Sequence, residues 1–333
     1  MFKRSLPLCV LVGLFACSIP TQAEQPRKGP LKVFILAGQS NMQGHGVVEA
    51  NPKRNMGKGS LEYLVKHPKT AKQMKHLIDA DGKWTVRKDV WIWHFDRKGG
   101  LTVGYGARPG LIGPELQFGH VVGDHFDDPV LIIETSWGGR SLAVNFRPPS
   151  SGKIPYPINK SLEAKIKEDP KVLGQYYREI LEHTKDVLKN LKEHFPEYDG
   201  RGYEIVGFGW HQGWNDRINQ AFNDEYEKNM ANFIRDMRKD LGVKNLPFVI
   251  AETGMNGPEE KHPRALSLMK AQAAVAKHKE FQGNVAFVPT QKFWRTREES
   301  PSGQGYHWNT NAETYFLIGD AMGKAMIRLI EKK

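Results

Sequence analysis

The chain has 333 residues, of which 39% are hydrophobic and 26% charged, and its formal net charge is +11. This composition is typical of a globular protein and excludes a disordered chain or a fibrous repeat. The basic residues are scattered, and no basic stripe with interleaved aromatic side chains indicates a nucleic-acid partner. An anionic surface or polysaccharide stays open as a partner of so basic a chain.

The first segment of the chain is typical of an export signal. A basic pair precedes an apolar run over residues 6–16, and Thr-Gln-Ala at 21–23 is a small-x-small cleavage site. The run is too short to cross a bilayer, so we expect a signal peptide over 1–23, export to the periplasm or the extracellular space, and no membrane span. A lipoprotein signal with lipid on Cys17 is the alternative. Both cysteines lie in this segment, so cleavage would leave none for nucleophilic, disulfide or metal chemistry.

Residues 24–333 are expected to form a single domain in which short apolar runs alternate with segments of helical period. The predicted strands are Leu31–Ala37, Val90–Phe95, Val130–Thr135, Ile205–Trp210, Phe248–Ala251 and Val285–Val288. The predicted helices are Pro114–Phe126, Val172–His194, Phe222–Leu241, Arg264–His278 and Ala312–Ile330. This alternation predicts an α/β fold with a parallel sheet covered by helices on both faces.

Two stretches interrupt the alternation. Residues 50–88 are polar and rich in Lys, and residues 147–170 are rich in Pro, Ser and Lys. Neither has the composition of a second core, so we expect both to be surface insertions that rim the site.

The first candidate for chemistry follows the first predicted strand, where the chain continues Gly38-Gln39-Ser40-Asn41-Met42. Ligands of parallel sheets bind at the carboxyl ends of the strands, which makes Ser40 a candidate nucleophile. Serine is equally favoured as a helix N-cap, so its position alone does not decide whether Ser40 is a nucleophile or a cap.

Three further blocks carry chemistry. Trp137-Gly138-Gly139 follows a strand and offers either a close backbone N–H or an ordinary turn. His211-Gln212-Gly213-Trp214-Asn215-Asp216 follows another strand, and its density of large polar side chains favours a site wall. His307 lies in a Gly-rich loop before the last helix, where it is either a general base or a surface residue.

In these four blocks, and in their order, the chain resembles the sialate O-acetylesterase-like branch of the SGNH hydrolases, related to carbohydrate esterase family 6. The resemblance covers residues 31–330. It implies a three-layer α/β/α sandwich with a mostly parallel, flavodoxin-like sheet of about five strands. It also implies that Ser40 is the nucleophile, that His307 is the base, and that the oxyanion hole uses the N–H groups of Ser40 and Gly139 and the side-chain amide of Gln212.

One position departs from the family pattern. Many SGNH enzymes carry Asp three residues before the catalytic His, and this chain has Gln304 there. Asp216 is our first candidate for the residue that orients His307. Glu134 and Glu252 are the reserves, and a backbone carbonyl that leaves a Ser–His dyad is the further alternative.

The resemblance predicts a serine esterase that removes short acyl groups, above all acetyl, from an acetylated carbohydrate. No cofactor and no metal are expected, because the His and Asp residues show no ligand spacing. A glycan-binding module without activity and a lipase or thioesterase for longer acyl chains are the rival functions, and the oligomeric state is left open. The residues expected to contact the substrate are Gln39, Asn41, Trp137, Trp214 and Trp308.

Overall fold

The computed structural model describes residues 29–332, so the predicted signal peptide lies outside the described residues. The described strands are β1 (Leu31–Gly38), β2 (Gly46–Val47), β3 (Val90–His94), β4 (Arg97–Gly100), β5 (Leu111–Ile112), β6 (Val130–Ser136), β7 (Tyr203–His211), β8 (Phe248–Ala251) and β9 (Val285–Val288). The strands β2 and β5 pair with each other, and the other seven form one sheet in the order β4-β3-β6-β1-β7-β8-β9.

The main sheet is parallel except at one edge, where β4 pairs antiparallel with β3. The chain leaves β1 toward β3 and β6 on one side and later adds β7, β8 and β9 on the other. The carboxyl end of β1 is therefore a topological switch point, the place where open α/β sheets form a crevice for ligands.

Helices cover both faces of this sheet. The described α-helices are α1 (Ser40–Gln43), α2 (Leu61–Leu64), α3 (Ala71–Met74), α4 (Glu115–His125), α5 (Lys160–Glu168), α6 (Gln175–Lys189), α7 (Leu191–His194), α8 (Trp214–Arg217), α9 (Gln220–Asp224), α10 (Tyr226–Asp240), α11 (Pro263–Val275) and α12 (Ala312–Ile330). Between residues 29 and 332, no helix is both long enough and apolar enough to cross a membrane.

The central strand β1 divides the core between the two faces. Phe34 and Leu36 pack with α4 and α12, whereas Ile35 and Ala37 pack with α6, α10 and α11. Successive side chains of a strand point to opposite faces, so a continuous apolar run is what a strand buried on both sides requires. The predicted three-layer α/β/α sandwich is confirmed, with seven strands in the sheet instead of about five.

The segment 50–88 is more than a surface insertion. It carries short helical turns, and four of its side chains are buried in the same apolar cluster as α4 and α12: Leu61, Leu64, Met74 and Leu77. Each buried side chain of this size contributes about 1.5–3 kcal/mol, so the segment is part of the core layer. The segment 147–170 differs, since α5 within it buries no residue.

Candidate active site

Ser40 is held at the carboxyl edge of the sheet by a turn that requires glycine. Gly38 has φ +155°, and a Cβ there would lie 2.2 Å from the carbonyl oxygen of His211. Gln39 caps the short helix α1, Ser40 is its first residue, and 9% of the Ser40 surface is exposed. Ser40 is therefore held at the carboxyl end of β1, where the crevice lies.

The neighbouring strands bring two of the other predicted blocks to the same place. In the sheet, Gly38 is level with Ser136 of β6 on one side and with His211 of β7 on the other. Beyond β6 the chain passes directly beside the nucleophile candidate, since a Cβ on Gly138 would lie 3.6 Å from that of Ser40. Gly139 follows in the left-handed region (φ +71°) and is exposed, so its N–H is placed on an open loop next to Ser40.

The side chain of Gln39 joins β1 to the block after β7. Its Oε1 accepts from the N–H of Gly213 at 3.1 Å and of Asn215 at 3.4 Å. Its Nε2 donates to Oδ1 of Asn215 at 3.4 Å, and only 2% of the residue is exposed. Gln39, predicted to contact substrate, is thus buried and positions the loop that follows β7.

Gln212 does not present its amide to the crevice. It is fully buried, and its Nε2 donates both to the carbonyl of Arg140 at 2.9 Å and to Oδ2 of Asp216 at 2.6 Å. An amide nitrogen has two hydrogens, so both are used and none is left for a substrate oxyanion. The oxyanion role that the resemblance implied for this side chain needs correction: in the structure it ties together the loops after β6 and β7.

Asp216 is equally occupied. Its Oδ1 accepts from the N–H of Ala143 at 2.9 Å and its Oδ2 from that of Leu142 at 2.8 Å. Burial raises the pKa of this carboxyl to about 6, against the opposing effect of hydrogen bonds from Gln212 and these two N–H groups. Among residues 29–332 its hydrogen bonds go to these partners and not to His307, so the structure does not place it as the residue that orients the imidazole.

The two reserve carboxylates also lie elsewhere. Glu134 accepts from the Ser136 hydroxyl at 2.8 Å and lies 3.8 Å from Nδ1 of His94. Glu252 accepts from the N–H groups of Thr290 and Gln291 at 2.7 and 3.2 Å. Within the described part of the chain, no carboxylate hydrogen-bonds the His307 ring.

His307 lies in a half-buried turn, stacked on a second imidazole. Its ring and that of His45 are parallel within 9°, with centroids 3.7 Å apart. Burial, and then the charge of His45, lower the pKa of His307 to about 4. The imidazole is therefore neutral at pH 7, which is the state that a general base needs.

A hydrogen-bonded clamp ties the His307 turn to the residue after Ser40. Asn41 donates from Nδ2 to the carbonyl of Tyr306 at 3.0 Å. The Tyr315 hydroxyl of α12 donates to Oδ1 of Asn41 at 2.9 Å and lies 3.3 Å from the carbonyl of His307. Asn41 is 2% exposed, so it positions the turn instead of contacting substrate as predicted.

The predicted tryptophans differ in exposure. Trp308 has φ 52° and is completely buried, packed near His211 and Trp294, so it presents no face to a sugar in this structure. Trp137 and Trp214 are half-buried at the crevice. Trp214 carries the guanidinium of Arg217 over its ring at 4.4 Å.

Two site residues were missed in the sequence-based prediction. His45 and Tyr315 are not among the residues that the sequence singles out. A histidine between two glycines, at Gly44-His45-Gly46 shortly after Ser40, is the sequence feature that could have identified His45. Tyr315 is one of many buried residues of α12, and nothing in its spacing marks it.

Comparison with known proteins adds the family. The sequence pattern of the family SASA, described as carbohydrate esterase, sialic acid-specific acetylesterase, matches residues 30–328. The chain belongs to this family. The predicted resemblance and the predicted class of enzyme, a carbohydrate esterase, are therefore confirmed.

Two comparisons relate this SASA-family chain to Arabidopsis thaliana proteins, one by sequence and one by structure. A probable carbohydrate esterase of Arabidopsis thaliana is 25% identical over 221 residues, which cover 66% of this chain and 68% of the relative. The crystal structure of an Arabidopsis thaliana protein aligns with a TM-score of 0.55 at 16% identity, over 90% of this chain and 98% of that one.

Two further structures share the fold. The carbohydrate acetylesterase XAC1771 from Xanthomonas citri aligns with a TM-score of 0.53 at 13% identity, over 90% of this chain and 57% of that one. NanS aligns with a TM-score of 0.53 at 14% identity, over 92% of this chain and 99% of that one. At these identities the structures show the fold alone.

Within residues 29–332, no group of three or more His, Cys, Asp or Glu side chains could hold a metal ion.

Proposed function

We propose that this carbohydrate esterase removes O-acetyl groups from glycans by a two-step mechanism with Ser40 as nucleophile and His307 as base. The observation that carries the proposal is the clamp between the two: Asn41, next to Ser40, is hydrogen-bonded to the turn that carries His307. Membership in a family described as acetylesterases supports acetyl as the acyl group that is removed.

In the first step, the neutral His307 takes the proton of the Ser40 hydroxyl as Oγ attacks the acetyl carbonyl. The carbonyl π bond opens, and its electron pair goes to the oxygen. In this mechanism the N–H groups of Ser40, at the start of α1, and of Gly139, on the loop after β6, stabilise that oxyanion. The C–O bond to the sugar then breaks, and the sugar oxygen leaves with the proton from His307.

In the second step, water attacks the carbonyl carbon of the acetyl-serine while His307 takes a proton from the water. Collapse of the second tetrahedral species releases acetate and returns the proton to Ser40. No carboxylate is needed to hold the imidazole if the ring is fixed by the stacked His45 and by the clamp from Asn41 and Tyr315.

The direct test is acetate release from a panel of acetylated polysaccharides. The wild type should release acetate from at least one of them, and Ser40→Ala should release none above background. Ser267→Ala is the matched control, because Ser267 lies on α11 and its hydroxyl donates to Asn223. Retained activity in Ser40→Ala would refute the assigned nucleophile.

The acyl group itself is tested with p-nitrophenyl esters of increasing length. We expect acetate to be preferred over butyrate, because the Trp137-Gly138 loop lies directly against Ser40 and limits the space for the acyl chain. An optimum at hexanoate or beyond would favour the lipase alternative and leave the roles of Ser40 and His307 untouched.

A further inference from the structure

A groove of about 680 Å³ opens next to the site, and we call it the α5 groove because α5 forms its outer wall. One end of the α5 groove lies beside the loops after β6 and β7 that border the candidate site. Asn215, which is bonded to the Gln39 side chain, lines it, as does Arg140, whose carbonyl accepts from Gln212. Arg140 also directly follows Gly139 in the chain, so this end of the groove lies beside the loop that borders Ser40.

The lining has the chemistry that binds sugars. Amide side chains can donate to and accept from hydroxyl groups, and aromatic rings can pack against the apolar face of a pyranose. The α5 groove offers both, in Asn145, Asn159, Gln175, Asn219, Tyr176 and Phe222.

The charges of the lining are all of one sign. Arg140 and Lys165 line the α5 groove, and no Asp or Glu of the described residues does. The Arg140 guanidinium lies 4.7 Å from the centre of the Tyr176 ring, and its Nε is buried without a hydrogen-bond partner between residues 29 and 332. Lys165 is exposed on α5 and forms no ion pair with any described residue.

Two cations without acidic partners create a positive potential in a concave surface. A guanidinium presents a planar set of donors that fits a carboxylate or a sulfate with two parallel hydrogen bonds. The Arg140 guanidinium lies over the Tyr176 ring, which lines the same groove. The groove is thus suited to a chain of sugars that carries anionic groups.

We propose that the α5 groove binds the part of the glycan beyond the acetylated sugar, and that this part carries carboxylate or sulfate groups facing Arg140 and Lys165. The proposal rests on the proposed esterase function for the place of the acetyl group. Binding itself requires no catalysis, and this separates the two proposals experimentally.

The test uses the Ser40→Ala protein and isothermal titration calorimetry with unacetylated oligosaccharides of equal length. An oligogalacturonide supplies carboxylates, a carrageenan oligosaccharide supplies sulfates, and a xylo-oligosaccharide is neutral. We expect at least one acidic ligand to bind more tightly than the neutral one, with an affinity that falls as NaCl is raised. Whichever acidic ligand binds identifies the anion.

A second variant pair locates the binding. Lys165→Glu should weaken binding of the acidic ligand about tenfold, because a like charge replaces the attracting one. Lys167→Glu is the matched control: it makes the same charge change on the same exposed helix, about 200° around its axis, away from the groove. It should bind the acidic ligand like the parent protein.

Equal affinity for acidic and neutral ligands, or equal loss in both lysine variants, would overturn the proposal. Acetate release by the wild type is measured in parallel. A protein that binds acidic glycans in the groove but releases no acetate would refute the esterase function alone, and an active esterase without acidic preference would refute the groove alone.

Discussion

At the scale of single residues, Asp216 shows how a buried carboxylate can serve a site without touching the reacting groups. It joins the backbone of Leu142 and Ala143 to the side chain of Gln212, and so fixes the loop that carries Gly139. In this account Asp216 is a positioning residue for the oxyanion loop.

Asp216→Asn should therefore lower stability as well as activity. The Asn side chain would place its own NH₂ group against one of the N–H donors that Asp216 now accepts from. The buried donors left without an acceptor would lower the free energy of unfolding by about 1–3 kcal/mol. Urea unfolding should show this loss, while the acid limb of the pH–rate profile keeps its midpoint. A fully stable variant whose kcat falls on the order of 10⁴-fold would instead indicate the triad role.

The stacked imidazoles predict an unusual pH profile. His307 acts when neutral, so activity is lost as the pH falls through its pKa, which burial and His45 lower to about 4. The acid limb of kcat/KM should therefore lie near pH 4 instead of near 6.5.

Two substitutions at His45 separate the causes. His45→Phe keeps an aromatic ring over His307 but removes the charge of His45. His45→Asn removes the charge and also exposes the His307 ring to water. Both should move the acid limb to higher pH, and His45→Asn should move it further. An acid limb that stays in place in both variants would contradict this account of the His307 pKa.

At the scale of elements, the helix α12 contacts the turn that carries His307 through the hydroxyl of Tyr315. Tyr315→Phe removes the group that contacts both Asn41 and the His307 carbonyl. We expect kcat to fall about tenfold or more with little change in KM, because the turn loses its fixed geometry while the groove stays intact.

A double-mutant cycle tests the clamp as a unit. If Asn41 and Tyr315 act together, Asn41→Ala combined with Tyr315→Phe should cost little more than the more harmful single change. Additive losses in kcat would show that the two residues act independently.

Much of the element layout was predictable, because strands buried on both faces appear as continuous apolar runs. Each of the six predicted runs matches a strand of the main sheet, although Phe95 lies beyond the end of β3. The edge strand β4 was missed, since Arg97-Lys98-Gly99-Gly100 has no apolar pattern and pairs only because the hairpin returns along β3. The backbone partners of Asp216 and the partners of Asn41 could not be predicted either, since they are more than 70 residues away in the sequence.

The segment 50–88 was also misjudged, because its few apolar residues are diluted by lysines. Leu61→Ala should destabilise the protein by about 2–5 kcal/mol, as expected for a truncated core side chain. Val86→Ala, in the same segment but 57% exposed, is the control and should change stability by less than about 0.5 kcal/mol. If urea unfolding shows equally small losses of stability for both variants, the segment 50–88 is a surface insertion and not part of the core.

At the scale of the whole molecule, one buried carboxyl of the sheet and one of its helical layer lie close enough for their charges to interact. Glu134 lies in β6 and Glu115 begins α4, and both are completely buried. Burial raises both pKa values, that of Glu115 to about 7. The folded state therefore retains protons that the unfolded chain has released.

The sign of the pH effect follows from this difference. Since the folded state binds more protons, the free energy of unfolding should fall as the pH rises from about 4.5 to about 7, by up to about 1.4 kcal/mol per pH unit for each group. Glu115→Gln cannot titrate and should flatten this fall, whereas the exposed Glu163→Gln should not. Urea unfolding at pH 5, 6 and 7.5 measures the slopes, and identical slopes in all three proteins would contradict the assignment.

The central claim is that Ser40 is the nucleophile of a carbohydrate acetylesterase. A fluorophosphonate probe reacts covalently with an activated serine and reports that activation without any choice of glycan. Intact-mass and peptide mass spectrometry of the labelled protein should show one adduct, located on Ser40, absent from Ser40→Ala and strongly slowed in His307→Ala. An adduct on another serine, or undiminished labelling of Ser40→Ala, would contradict the account.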